Sequence, residues 1–312
     1  MTLIQLEYLI AIDTHRNYAS AAKHLFVTQP TLSMQVKKIE DDLGVMIFDR
    51  SRKPVLTTDI GREIIHQARI AVTEVYKIKE LVTDQIGAFH GELRLGIIPT
   101  LSPYILPLLL PSFMKKYPDI ELQVDELQSE QLINKIKYDL VDVGLLVTPI
   151  NEASLTETPL FYERFMLYLS AGHKNLSKAK IDYKDIDINE VWLLKEGNCF
   201  RNQVINICNQ ADHSHKPRLK FESGSLETIK RIIDVRDGST VMPQLATLNF
   251  TLEEQKRLRD FPMPQPVREI SLVTKRSKLK SRLIKLLQSE ILAHLPKEVM
   301  DNNPENIISW TQ

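Results

Sequence analysis

YASAAKHLFVTQPTLSMQVKKIEDDLGVMIFDRSRKPVLTTD, residues 18–59, packs a turn between two short helical patterns and ends on turn-forming residues. From Thr28, the apolar residues Leu32, Val36, Ile39 and Leu43 recur at steps of 4, 3 and 4, one face of an α-helix. Thr28 can cap that helix, Pro30 falls in its first turn where a missing N–H costs little, and Gly44 stops it. Ahead of it, YASAAKHL reads as a short helix whose Ala19 and Ala22 let a neighbour pack closely. Phe26-Val27 leaves room only for a tight turn. Two helices joined in this way, the second capped and amphipathic, have the helix-turn-helix pattern. IFDRSRKPVLTTD then mixes β-branched and turn residues, as a short two-stranded wing would, and Leu3, Leu6 and Ile10 mark an apolar stripe on a preceding helix.

The second helix keeps a polar front. Pro30, Thr31, Ser33, Met34, Lys37 and Lys38 lie off the apolar stripe, and Gln29 and Gln35 flank it. A major groove admits one helix, and its base edges are read by hydrogen bonds. Gln29, Thr31 and Ser33 are the candidate base readers, while Lys37, Lys38, Arg50, Arg52 and Lys53 are candidates for phosphates, which position without specifying. Charge alone does not decide, since residues 1–90 carry 11 basic and 11 acidic side chains. A helical packing domain with a solvated polar face would share the pattern.

The whole chain is similarly balanced. Of its 312 residues 43% are hydrophobic, and Lys+Arg and Asp+Glu both number 40, so no global field advertises a nucleic acid or a membrane. The N-terminus lacks the charged start and cleavage site of a signal peptide. No apolar run approaches the roughly 20 residues that span a bilayer. A cytoplasmic setting is expected. Residues 59–89 form one long helical stretch in which Ile64, Ala68, Ala71, Val75, Ile78 and Val82 keep a heptad seam, expected to dimerise, with a hinge at Gly87 and Gly91. Beyond it strands (ELRLGII, IELQVDEL, VDVGLLV, FMLYLSA) alternate with helices (PYILPLLLPSFMKKYP, SEQLINKIKYDL), which implies parallel sheets in a two-lobed α/β domain. Residues 301–312 are a polar tail with one late apolar patch.

The chain has two cysteines, Cys199 and Cys208, in GNCFRNQVINIC. In the cytoplasm a thiol pair is more often catalytic, metal-binding or redox-sensing than a permanent disulfide. The spacing is not that of a zinc site, and His213 and His215 read as loop residues. Cys208 could share a buried helix face with Val204 and Ile207, as ordinary core cysteines do. Asn198 is a good helix cap, which puts Cys199 in the first turn with Arg201 two residues on. Both influences are expected to lower its pKa. If 199–208 is all helix, the two Cα atoms lie about 13–14 Å apart on opposite faces. A disulfide needs them within about 7 Å, so such spacing suits a switch better than a staple.

The run quoted at the outset, with its SAAKHL helix, TQPTLSMQV recognition helix, LGVMIFDR and LTTDIG, is similar to the winged helix-turn-helix of LysR-type transcriptional regulators. That resemblance implies an all-α winged helix-turn-helix at 1–58 and a linker and dimerisation helix at 59–89. It also implies a C-terminal effector domain at 90–300 resembling type II periplasmic binding proteins, with lobe I at about 90–161 and 269–300 and lobe II at about 162–268. A second set of residues, Gly197, Cys199, Arg201, Gln203, Cys208 and Ser225-Leu226-Glu227-Thr228, resembles the peroxide-sensing members of that family. This implies a peroxidatic Cys199 and a resolving Cys208, with Thr100 and Ser129 as pocket hydroxyls and Arg268 as a second basic neighbour. Asn198 departs from the histidine often found before the sensing cysteine. The resemblance further implies promoter DNA and RNA polymerase as partners, hydrogen peroxide as signal, a thioredoxin- or glutaredoxin-type reductant, a homodimer to homotetramer, an activator role, no cofactor and no metal. The same fold could instead bind a small organic effector through Thr100 and Ser129, with the cysteines structural. A thiol peroxidase, which has no use for a DNA reader, is the reading from another class.

Overall fold

The computed structural model describes residues 1–85, 89–208, 223–276, 279–302 and 304–310, with side chains described up to residue 78 and from residue 89 on. The chain forms two units, residues 1–88 with 277–279 and residues 89–276 with 280–312. His213, His215, Gly87 and the side chain of Val82 lie outside the described residues.

The N-terminal unit is α1 (Leu3–His15), α2 (Tyr18–His24), α3 (Gln29–Leu43), a ribbon of β1 (Phe48–Asp49) and β2 (Leu56–Thr57), and α4 (Asp59–Gln85). Asn17 caps α2, its Oδ1 accepting from the amides of Ala19 and Ser20 at 2.8 and 3.0 Å. This start turns Ala21 and Ala22 inward and leaves Ala19 exposed, one residue off the expected pair. Thr28 caps α3 through the amide of Thr31, and Gly44, at φ +69°, ends it. Leu32, Val36 and Ile39 meet Leu9, Ile12, Ala21 and Phe48 in one core. On α1 the most buried residues are Leu9 and Ile12, beside the expected stripe rather than on it.

The seam on α4 divides. Ile65, Ala68, Arg69 and Thr73 are buried. Arg69 donates to Asp13 at 3.0 Å and Tyr76 to Glu7 at 2.6 Å, so this face packs on α1. Val75 and Ile78 are 38% and 63% exposed.

The C-terminal unit contains β3 (Gly91–Ile97), α5 (Ser102–Lys116), β4 (Ile120–Glu126), α6 (Ser129–Lys137), β5 (Val143–Thr148), β6 (Leu155–Leu169), α7 (Cys199–Cys208), α8 (Leu226–Val235), β7 (Ser239–Pro243), α9 (Leu252–Gln255), β8 (Leu258–Asp260), β9 (Val267–Lys275), α10 (Ser281–His294) and α11 (Lys297–Met300). Among the described residues the strands run in the order β4-β3-β5-β9-β6-β7, with β8 on β6. Only β3 pairs in parallel, with β4 and β5; the pairings of β9 and β6 are antiparallel. The expected all-parallel sheets are therefore mixed. The physical reason is that the chain crosses between its two cores on two long antiparallel strands, not through helices. β6 starts ten residues before the expected FMLYLSA, and its pairing with β9 shifts register between Pro159 and Phe161, which hides the alternation there.

Two cores result. One gathers β3, β5, α5, α6, α10 and the start of β6; the other gathers the end of β6, α7, α8 and β7. In α5 the prolines at 103, 107 and 111 stand on the exposed side while Ile105, Leu109 and Phe113 face the core, so the lost N–H groups fall toward water. The C-terminal segment is not a loose tail. Ile308 is buried, its amide donates to Val267 O at 2.8 Å, and Trp310 packs on the first core.

Candidate functional site

On the face expected to read DNA, Gln29, Pro30, Lys37 and Lys38 of α3 are exposed, as are Arg50, Arg52 and Lys53 of the wing; Thr31 and Ser33 are half-buried. Not all of these side chains are free to reach a duplex. The Thr31 and Thr28 hydroxyls are bonded to each other at 2.8 Å, and Gln35 accepts from Gln5 at 3.1 Å, which turns it toward α1. Arg50 donates to Glu40 at 2.7 Å and covers the Tyr18 ring at 5.3 Å. The other oxygen of buried Glu40 takes the amides of Ile47 and Phe48. Arg50 thus fastens the wing to α3 as well as adding charge. The sequence pattern missed Glu40 as an anchor because it stands next to the acidic Asp41 and Asp42, which are exposed. It also missed Phe26, 96% exposed in the turn at φ +55°.

The second site is built around α7. Gly197 holds φ +82°, and an added Cβ would come within 3.2 Å of the Gln128 side chain, so this turn is open to glycine. Asn198 follows and its Oδ1 accepts from Phe200 N at 3.0 Å. Cys199, the first helical residue, is buried in the first core; Cys208, the last, is buried in the second, with Val204 and Ile207. Both are free thiols. Nine residue steps along an intact helix therefore separate them in distance and in environment.

Electrostatics overturn one expectation. Burial pushes the Cys199 thiol up; a hydrogen bond from Ser129, the Arg268 charge and the amides of Phe200 and Cys199 pull it back without reversing the direction. Arg201 is turned elsewhere: at i+2 it leaves by another face and donates to Leu194 O at 2.9 Å. Cys208 is pushed up to about 12 by burial.

Arg268 is fully buried. Its Nη1 donates to Thr100 Oγ1 at 3.0 Å and its Nη2 to Thr100 O at 3.2 Å. Its Nε meets Glu163 Oε2 at 2.8 Å. Glu163 is the residue opposite Arg268 in the β6–β9 ladder, and it was not among the expected site residues. A signal existed: Phe161, Glu163, Phe165 and Leu167 share one parity, so the carboxylate points inward with the core residues. Thr100, Ser129, Cys199 and Arg268 therefore converge, with Asn198 capping the turn beside them, whereas Arg201 does not join them. Gln203, one turn beyond Cys199, is buried and donates to Ile308 O at 2.8 Å, leaving its Oε1 unpartnered. Asn202 and Asn206 donate to Trp310 O at 3.2 Å and Ser309 O at 2.9 Å, so three amides of α7 hold three successive carbonyls of the C-terminal segment.

Among the described residues no group of three His, Cys, Asp or Glu side chains could hold a metal ion, and no helix is long and apolar enough to cross a membrane.

Comparison with known proteins matches residues 3–62 to the bacterial regulatory helix-turn-helix protein family of lysR type and residues 87–296 to the LysR substrate binding domain. A hydrogen peroxide-inducible genes activator of Haemophilus influenzae is 33% identical over 273 residues, 88% of this chain and 90% of the relative. The DNA-binding transcriptional dual regulator OxyR of Escherichia coli K12 is 32% identical over 296 residues, covering 93% and 94% of the two chains. A full-length cysteine-to-aspartate variant of OxyR from Pseudomonas aeruginosa superposes with a TM-score of 0.76 at 31% identity, over 95% of this chain and 99% of that one.

Proposed function

The chain belongs to the LysR family of bacterial helix-turn-helix regulators, and from that premise we propose that it is a peroxide-responsive transcription regulator whose DNA binding changes when Cys199 and Cys208 join in a reversible disulfide. One observation carries the reading: the two cysteines sit at opposite ends of a single helix, each sealed in a different core.

The chemistry runs in two steps. The Cys199 thiolate attacks one oxygen of hydrogen peroxide, the O–O bond breaks, and hydroxide leaves and is protonated to water. The sulfenic acid that forms is then attacked by the Cys208 sulfur; the S–S bond forms, the S–O bond breaks and a second water leaves. Ser129 and Arg268 stabilise the attacking anion. Thr100 fixes the guanidinium. Two electrons and two protons from a thioredoxin- or glutaredoxin-type dithiol restore both thiols.

An intact α7 holds the Cα atoms about 13–14 Å apart, and a disulfide tolerates about 7 Å. Oxidation therefore has to unwind the helix and withdraw one sulfur from its core. That rearrangement is the two-state element through which a local covalent event alters DNA binding. Gln29 and Ser33 read base edges, and Lys37, Lys38, Arg52 and Lys53 contact phosphates. Dimerisation uses Val75 and Ile78 of α4, and a tetramer places two pairs of readers on promoter DNA beside RNA polymerase.

The test is a DNA footprint with and without peroxide, together with a thiol count by mass after sub-stoichiometric peroxide. Cys199→Ser should lose the peroxide-dependent footprint, and Cys208→Ser should stop at the sulfenic acid, one oxygen heavier. A Cys199→Ser protein that still responds rejects the reading.

A further inference from the structure

Glu163 has no role in the chemistry as written so far. It and Arg268 are both 0% exposed, and their atoms meet at 2.7 Å (Arg268 Nη2 to Glu163 Oε2) and 2.8 Å (Nε to the same oxygen). Burying a full ion pair is costly where two apolar side chains would pack as well, so its presence beside a thiol asks for a reason. Glu163 is itself held. Its Oε1 accepts the Leu245 amide at 2.7 Å, which stops the carboxylate from turning away. The guanidinium, gripped by Glu163 on one side, is thereby pressed on Thr100 on the other, with the Phe200 ring beneath it at 5.3 Å. The other titratable groups facing the pair are Cys199 of α7 and Tyr104 of α5, whose hydroxyl donates to Glu227 of α8 at 3.0 Å.

We propose that Glu163 is the positioning residue of the thiol site: it orients Arg268 against Thr100, and its carboxylate offsets the pull of that cation on the Cys199 sulfur. The resting reactivity of Cys199 is then set by the pair and not by Arg268 alone. The inference rests on the reading of Cys199 as the peroxide-attacking thiol.

Glu163→Gln keeps the side chain's shape and an acceptor for Leu245 while removing the negative charge. In a Cys208→Ser background, alkylation of Cys199 followed by mass across pH reads the thiolate directly. The Glu163→Gln profile should move to lower pH, with alkylation at neutral pH faster by about tenfold, the scale on which an uncompensated neighbouring charge acts. A profile that stays in place or moves to higher pH overturns the proposal. If circular dichroism finds Glu163→Gln unfolded, Glu163→Asp keeps the charge but draws it back from Arg268. It should move the profile the same way by less, and a stationary profile in that folded variant is equally fatal. Alkylation reports on the thiol whether or not peroxide is its natural partner. A shifted profile in a protein that ignores peroxide sinks the functional reading alone, and a stationary one in a protein that still responds sinks only the role of Glu163.

Discussion

Burial raises both thiols, and the direction has a consequence for stability. A thiol whose folded pKa lies above its unfolded value is bound to its proton more tightly in the folded state. Its contribution to stability is complete below the unfolded pKa of 9.0 and is lost as pH climbs toward the folded value, about 12 for Cys208. The thermal midpoint should therefore fall between pH 9 and 12, and fall less in Cys208→Ala; equal alkaline losses in the two proteins would contradict this assignment. The residue scale is also where sequence reading was most uneven. The roles of Thr100, Ser129 and Arg268 came from resemblance, and the fold brings them to Cys199, whereas Asn198 was read from its place as a helix cap. Arg201 is close in the chain and looked influential, yet helical geometry points it elsewhere. Parity pointed Glu163 inward, but its partner stayed hidden until β6 and β9 were paired, because the two stand 105 positions apart.

At the scale of elements, α3 was the most legible part of the chain. Its cap, its 4-3-4 stripe and its terminal glycine are local signals that agree with one another, and local agreement is what short-range physics can decide. The wing was less so, since Arg50 looks like one more surface cation. Two substitutions separate the roles. Arg50→Ala leaves the buried Glu40 carboxylate without its cation and should cost about 2 kcal/mol in unfolding free energy, read from denaturant curves. Lys38→Ala, on the exposed face, should leave stability within about 0.5 kcal/mol and instead reduce the log–log salt slope of DNA affinity by about one. An exchange of these two outcomes would mean that the faces were misjudged.

For the molecule as a whole, the seam on α4 carries the prediction. Its inner face is satisfied by α1, whereas Val75 and Ile78 are uncovered in one chain. Ile78→Glu should leave the thermal midpoint of the folded unit nearly unchanged while sedimentation finds monomers at micromolar concentration and DNA affinity falls; persistent dimers in that variant would move the interface elsewhere. The two-lobed α/β layout was legible from alternating strands and helices, but the antiparallel crossing was not, because Pro159 and the polar Thr156 and Thr158 blur the first half of β6. The late patch at 307–310 could not be placed from sequence, since what receives it is α7, a hundred residues earlier. That docking is made through main-chain oxygens. α7 grips the backbone of residues 308–310, so its three amides are indifferent to the side chain at Ser309, while Ile308 and Trp310 are held by the cores as well. Hydrogen exchange in α7 should quicken when the chain is cut after Asn306 and stay the same in Ser309→Ala, because the helix holds residues 308–310 through backbone atoms that every residue type carries.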